Sequence, residues 1–251
     1  MSRYSIDLVD TSFGFKIFVI EGDIHVGYNI RKSGTWEPEV VAWMQNNVKP
    51  GYNCLDIGSN IGFFTELMAR FSGKGGSVHA FEPNTELVEI YRKTRENNNY
   101  DNVADIFVYP FALSDVEDDL NLLVPDINIG GAALTMDPDA RDGYHSVKAK
   151  TKNINDLLSD HQLSTIDVIK IDIEGYEPFV WNTLYRILPN AKAILMELGP
   201  YHPKEFLYEL WKDYEMYTLN GDGKVDPEYI LGYRHHLNIS LVKRSEPVNQ
   251  I

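Results

Sequence analysis

Cysteine is nearly absent: Cys54 is the one cysteine in 251 residues. No intramolecular disulfide can form, which suits a reducing compartment. Cys54 lies inside an apolar run and reads as a small core residue. No run approaches the ~18 apolar residues that a membrane span requires. The N-terminus lacks a basic stretch followed by a long apolar one, so no secretion signal is expected. Together these absences predict a soluble, cytoplasmic protein without integral membrane association. Basic residues are also few. Lys and Arg number 23 against 37 Asp and Glu, a formal charge of −14. That balance opposes long-range attraction to nucleic acid, and no basic run offsets it locally. The seven histidines show no His-Glu-x-x-His or other tight metal spacing, and no Gly-x-Ser-x-Gly elbow is present.

What the chain does have is alternation. Tyr52 to Ile57, Ser77 to Phe81, Asp105 to Pro110, Val168 to Ile173 and Ala191 to Leu198 read as strands. Amphipathic helical patterns separate most of them: Gly62 to Phe71, Asn84 to Asn97 and Tyr176 to Leu188. Strands alternating with helices imply an α/β fold with a mostly parallel sheet and helices on both faces. Glu37 to Val48 reads as a helix that precedes this series. Phe15 to Ile20 and Ile24 to Tyr28, around Glu21-Gly22-Asp23, read as an N-terminal β-hairpin. After Pro203 to Trp211, a helix, Met216 to Leu219 and Leu237 to Val242 suggest an antiparallel edge pair. The expected organisation is a hairpin extension over 1–34, one domain over 35–243 and a tail over 244–251. The stretch from 125 to 145 contains on the order of twenty residues without clear periodicity, a length that in a compact domain usually carries function.

Two acidic strand ends dominate the chemistry. Leu55-Asp56-Ile57-Gly58-Ser59-Asn60-Ile61-Gly62 ends a strand in an acid and opens a glycine turn. The glycines permit close backbone approach to a ligand. Ala80-Phe81-Glu82-Pro83 ends the next strand in a second acid, placed to accept from both hydroxyls of a ribose. The turn lacks the Gly-x-Gly-x-x-Gly spacing that cradles a pyrophosphate, which argues against a nicotinamide dinucleotide and a hydride-transfer enzyme. An adenosyl ligand with a cationic amino-acid end fits better. In Ile169-Lys170-Ile171-Asp172-Ile173-Glu174, three charges alternate with three isoleucines. Period two places those charges on one face, at the strand end where α/β ligands bind.

These pieces, with Thr35-Trp36-Glu37-Pro38-Glu39, Phe111-Ala112-Leu113-Ser114, Gly175-Tyr176-Glu177 and Met196-Glu197, resemble the FkbM-type methyltransferases in order and spacing. Ser59 departs from the alanine common in that family. The resemblance implies a Rossmann-like class I methyltransferase fold with a seven-stranded sheet. It implies S-adenosyl-L-methionine as cofactor and O-methylation of a hydroxyl on a sugar or glycan. A polyketide or lipid hydroxyl is the alternative acceptor. By position, Asp56, Gly58 and Asn60 would surround the methionine part, with Ser59 among the cofactor-binding residues and Glu37 as the entry-helix acid near the cofactor. Glu82 would hold the ribose, with Pro83 next to it among the cofactor-binding residues. Ala112 and Leu113 would flank adenine, and Asp172 and Glu174 would sit beside the transferred methyl and the acceptor. Asp172 is the expected base and Glu174 the expected acceptor-orienting group, with His145 or His236 as alternative bases. A divalent metal held by Asp172 and other acids could acidify the hydroxyl instead. No ligand spacing decides between them.

Overall fold

The computed structural model describes residues 3–135 and 142–245. The chain opens with strands β1 (Ile6–Asp10) and β2 (Lys16–Ile20), then helices α1 (Val26–Ser33) and α2 (Pro38–Asn47). Strand and helix alternate through β3 (Asn53–Ile57), α3 (Phe63–Ser72), β4 (Ser77–Phe81), α4 (Thr85–Glu96) and β5 (Asp105–Tyr109). An insertion follows, formed by β6 (Ala112–Leu113), β7 (Asp119–Pro125), β8 (Ala133–Thr135) and β9 (Tyr144–Lys152). Short helices α5 (Ile154–Leu157) and α6 (Asp160–Ser164) lead to β10 (Ile166–Ile171), α7 (Glu177–Trp181) and β11 (Ala193–Leu198). The last elements are α8 (Lys204–Asp213), β12 (Tyr214–Thr218), β13 (Lys224–Val225), α9 (Pro227–Gly232) and β14 (Leu237–Lys243).

The main sheet runs β13-β12-β14-β11-β10-β3-β4-β5. The strands from β11 to β5 are parallel, and β14 is antiparallel to both β11 and β12. The edge pair expected near the C-terminus is therefore present. The count is eight rather than seven, because the two-residue β13 pairs with β12 at the edge. The order reverses between β3 and β10, so a crevice opens at their carboxyl ends.

Alternation along the strands builds two cores. Cys54, Val78, Val168 and Leu195 face the cluster under α2, α3 and α4. Leu55, Ile57, Ile169, Ile171 and Met196 face the opposite cluster, with α7 and α8. Each such side chain, fully buried, contributes on the order of 1.5–3 kcal/mol. Period two then puts Asp56, Lys170 and Glu197 on the Cys54 face, beneath the start of α2.

Two local expectations are corrected. The N-terminal hairpin exists, but β2 pairs with the upstream Ile6–Asp10, and the Ile24 to Tyr28 stretch enters helix α1. The Asp23 carboxylate accepts from the amides of Gly27 at 2.6 Å and His25 at 3.2 Å. It therefore fastens the first turn of a helix where Glu21-Gly22-Asp23 suggested a hairpin turn. The helix expected over Tyr176 to Leu188 ends at Trp181 and gives way to a 3-10 turn over Leu184–Arg186. Near that break the Thr183 hydroxyl folds back onto the Val180 carbonyl, a bond that competes with the helical ladder.

Candidate active site

An open cavity lies at the carboxyl ends of β3, β4 and β10. Its first wall is the turn after β3. Gly58 and Gly62 take φ of 85° and 86°, and Asn60 between them takes 52°. The amides of Gly58 and Ser59 both donate to the Phe81 carbonyl at 3.0 Å. The Asn60 amide donates to Glu82 Oε2 at 2.9 Å, and the Asn84 amide donates to Glu82 Oε1 at 2.8 Å. Asn84 also caps α4, its side chain accepting from the Glu86 amide. Glu82 is thus clamped at the cavity wall with one amide on each oxygen, and each oxygen retains a lone pair. Burial pushes its carboxyl up to about 7, against the pull of those two amides.

Behind the turn sits a buried charge network. Lys170 Nζ lies 3.1 Å from Asp172 Oδ2 and 3.8 Å from Asp56 Oδ1. Burial alone would lower the Lys170 pKa, but Asp172 and Asp56 outweigh it and hold the ammonium charged. Asp56 is fully buried and accepts from the Thr65 hydroxyl on Oδ2. Its Oδ1 accepts no hydrogen bond. Burial raises the Asp56 pKa, and Lys170 and Thr65 oppose the rise.

A third acid comes from the start of α2. Glu37 adopts φ of 40° and ψ of 74°, and its Oε1 accepts from Asn238 Nδ2 at 3.1 Å. Burial, with the charge of Asp172, pushes Glu37 up to about 7. Glu174 completes the set, with φ of 56°. Burial and Asp172 push its carboxyl up to about 8. Among the described residues, the non-glycine positions with positive φ are Glu37, Asn60 and Glu174, all at this site. Such backbone strain, on the order of 1–3 kcal/mol each, is typical of functional sites.

The sequence candidates separate by position. Gly58, Ser59 and Asn60 line the cavity, as do Glu82 and Pro83. Ala112 and Leu113 form another wall, and Asp172 and Glu174 close the end nearest β10. Asp56 and Glu37 stand behind the lining. His145 is carried elsewhere: on β9 its ring bonds Asp126 at 3.0 Å and the Tyr4 hydroxyl at 3.2 Å, outside the cavity lining. His236 comes within 3.5 Å of Glu197, whose carboxylate is buried on β11. Among the described residues, Glu174, Glu197 and His236 bring potential metal-ligating atoms together.

Sequence reasoning passed over several supporting groups. Thr65 and Asn238 carry no motif of their own. Glu177 and His202, both fully enclosed, pair at 2.8 Å. Glu177 also accepts from the Ile173 amide at 3.0 Å, so the pair braces the loop that presents Asp172 and Glu174. Glu197 did leave a signal, being an acid within the apolar run Ile194-Leu195-Met196 and Leu198. The insertion contributes Leu122, Ile129 and Gly130 to the cavity wall, which makes part of the 125–145 stretch a component of the site.

The Protein-L-isoaspartate O-methyltransferase of Methanococcoides burtonii is 36% identical over 69 residues, covering 27% of this chain and 34% of that protein. That of Methanothrix thermoacetophila is 34% identical over 71 residues, 28% of this chain and 34% of that protein. The chain thus matches about a third of the length of these curated relatives. Among solved structures, a Thermotoga maritima SAM-dependent O-methyltransferase aligns with a TM-score of 0.43 and 13% identity, over 98% of this chain and 79% of that one. A family model, the Methyltransferase FkbM domain, matches residues 56–219. The match begins at Asp56 and includes Glu82, Asp172, Glu174 and Glu197. It spans well over half of the sequence, and on that ground the chain belongs to the FkbM methyltransferase family.

Proposed function

We propose that the cavity binds S-adenosyl-L-methionine and that the protein methylates a hydroxyl of a sugar or glycan. The observation that carries this reading is Glu82, a buried carboxylate with both oxygens fixed by backbone amides at 2.9 and 2.8 Å and still able to accept two hydroxyls. A ribose diol matches that demand. The close turn at Gly58 supports the same fit, since a β-carbon there would come within 1.9 Å of the Asp172 carbonyl. The flat, apolar surface of Ala112 and Leu113 suits a base, and the acids beyond Asp56 suit a cationic centre.

When bound, S-adenosyl-L-methionine supplies an electrophilic methyl carbon, whose transfer forms an O–C bond and leaves the C–S electron pair on a neutral thioether. The chain's own residues provide alignment, which can contribute on the order of 7–11 kcal/mol. Lys170 holds Asp56 and Asp172 at fixed positions. Asp172 Oδ2 is committed to that ammonium, and Oδ1 is left to accept the proton of an acceptor hydroxyl. Glu174, at the cavity end, orients the acceptor. Tyr201, half-exposed with its ring against Gly175 and Gly199, offers a stacking face for a sugar.

A lipid or polyketide hydroxyl is the second reading. Ile24 and Ile127 are exposed and joined through a backbone bond of 3.1 Å, next to the lining residues Val26 and Ile129. They would receive an apolar acceptor tail. The test is formation of S-adenosylhomocysteine from the methyl donor with a panel of oligosaccharides and lipid alcohols. Turnover with glycans supports the proposal, and turnover with lipid alcohols alone transfers it to the second reading.

A further inference from the structure

The carboxyl ends of β10 and β11 and the start of β14 bring three side chains to one point. One carboxylate oxygen each from Glu174 and Glu197 and one ring nitrogen of His236 all lie within 4.8 Å of one another. The residues come from three separate segments, so no sequence spacing announces them. We infer that Glu174, Glu197 and His236 form a divalent-cation site at the acceptor end of the cavity. Its role in methyl transfer rests on the function proposed above, but its ability to hold a cation does not.

Glu197 makes the strongest case. It is only 4% exposed. Its Oε1 faces His236 Nε2 at 3.5 Å. Its Oε2 has only a long bond, 3.5 Å from the Tyr201 hydroxyl. A carboxylate so enclosed is costly unless it is neutralised or meets a cation. The charged groups around it are of the same sign as its own: Asp172, Glu174, Glu37 and Glu177. The nearby ammonium is engaged elsewhere: Lys170 serves Asp172 and Asp56. Glu174 likewise sits among acids at the cavity wall. A bound dication would supply the missing positive charge for both glutamates.

The arrangement also has the features of a working site. Three protein ligands leave coordination positions open, and Glu174 directs them toward the cavity, where a hydroxyl could enter. The Tyr201 hydroxyl, on the outer oxygen of Glu197, is placed to orient that ligand as an outer-shell group does. Two carboxylates with one imidazole favour a metal that accepts both hard oxygen and borderline nitrogen donors, and Mn²⁺ answers that description. The chemistry has a use for it. One oxygen of Asp172 is already engaged by the Lys170 ammonium at 3.1 Å. A cation on the acceptor oxygen would lower the hydroxyl pKa, so that its proton passes to Asp172 and its lone pair is freed for the methyl carbon.

The test is titration of the whole protein with Mn²⁺, followed by the electron paramagnetic resonance signal of the free ion. S-adenosylhomocysteine binding is measured on the same samples. The expected result is one saturable Mn²⁺ site in the wild type, weakened at least 10-fold in E197Q, E174Q and H236A and unchanged in H235A. E197Q is isosteric and removes an unfavourable buried charge, so its fold is expected to survive. No saturable site, or equal affinity in wild type and all variants, would overturn the inference. Coenzyme-product binding without Mn²⁺ binding removes the cation site and leaves the proposed function standing. Mn²⁺ binding without coenzyme-product binding does the reverse.

Discussion

Gly58 has no room for a side chain because of Asp172: a β-carbon at Gly58 would come within 1.9 Å of the Asp172 carbonyl oxygen. The turn after β3 and the loop after β10 therefore pass each other at backbone contact, and the two halves of the site are set by one another. Gly58→Ala is expected to break both. Its φ of 85° alone costs about 1–3 kcal/mol for an L side chain, and the clash adds to that. Gly51→Ala is the control, since Gly51 has φ of 82° but nothing within 4 Å. Denaturant unfolding should show the larger loss for Gly58→Ala, and affinity for S-adenosylhomocysteine should fall in that variant alone.

Glu82 predicts a pH dependence of cofactor binding. Burial holds its carboxyl at about 7, against an ordinary 4.5. Only the ionised form accepts on both oxygens from a diol. Affinity for S-adenosylhomocysteine should therefore rise as pH increases through 7 and then level off. By linkage, the same elevated pKa destabilises the ligand-free fold as pH rises from about 4.5 through about 7. In Glu82→Gln the affinity should be about 10–100-fold lower, and the Glu82 component of the pH profile should disappear.

Lys170 predicts a stability effect. It is the cation between Asp56 and Asp172, and its Nζ also lies 5.2 Å from the Phe64 ring centre. Lys170→Met removes the charge and leaves the buried Asp56 and the partly exposed Asp172 without it. Breaking one side of such a buried network typically costs about 3–5 kcal/mol. Urea unfolding at pH 7 should show a loss of that order. The double variant Lys170→Met with Asp56→Asn should recover part of it.

His79 predicts acid sensitivity away from the site. Its ring stacks on Phe107 and Tyr109, and Nδ1 lies 3.0 Å from the Tyr109 hydroxyl. Burial lowers its pKa from 6.5 to about 4. A neutral buried histidine contributes stability above the unfolded-state pKa, and that contribution is lost as pH falls from about 6.5 toward about 4. His79→Gln should flatten the stability profile over this window in thermal melts.

The parts of the site that could be read from sequence are those written by local rules. Glycines around Asn60, an acid closing the Ala80-Phe81 run and charges alternating with Ile169, Ile171 and Ile173 each state a strand end facing a ligand. What escaped was set by distance along the chain. Glu37 meets Asn238 from 201 positions away, and Tyr4 meets His145 from 141 away. The second contact draws His145 from the crevice, a placement no local pattern encodes. Asp23 misled because an aspartate after glycine can turn a hairpin or fasten a helix, and only the amides of His25 and Gly27 decide. Glu197 was visible as an anomaly in an apolar strand, but its partners arrive from later segments.

The central claim is that Glu82 anchors an adenosyl ligand at the ends of β3 and β4. Isothermal titration of the wild-type protein and Glu82→Gln with S-adenosylhomocysteine at pH 8 tests it most directly. The account predicts one site in the wild type and an affinity about 10–100-fold weaker in Glu82→Gln. Absence of binding to the folded wild type, or equal affinity in both proteins, would contradict it.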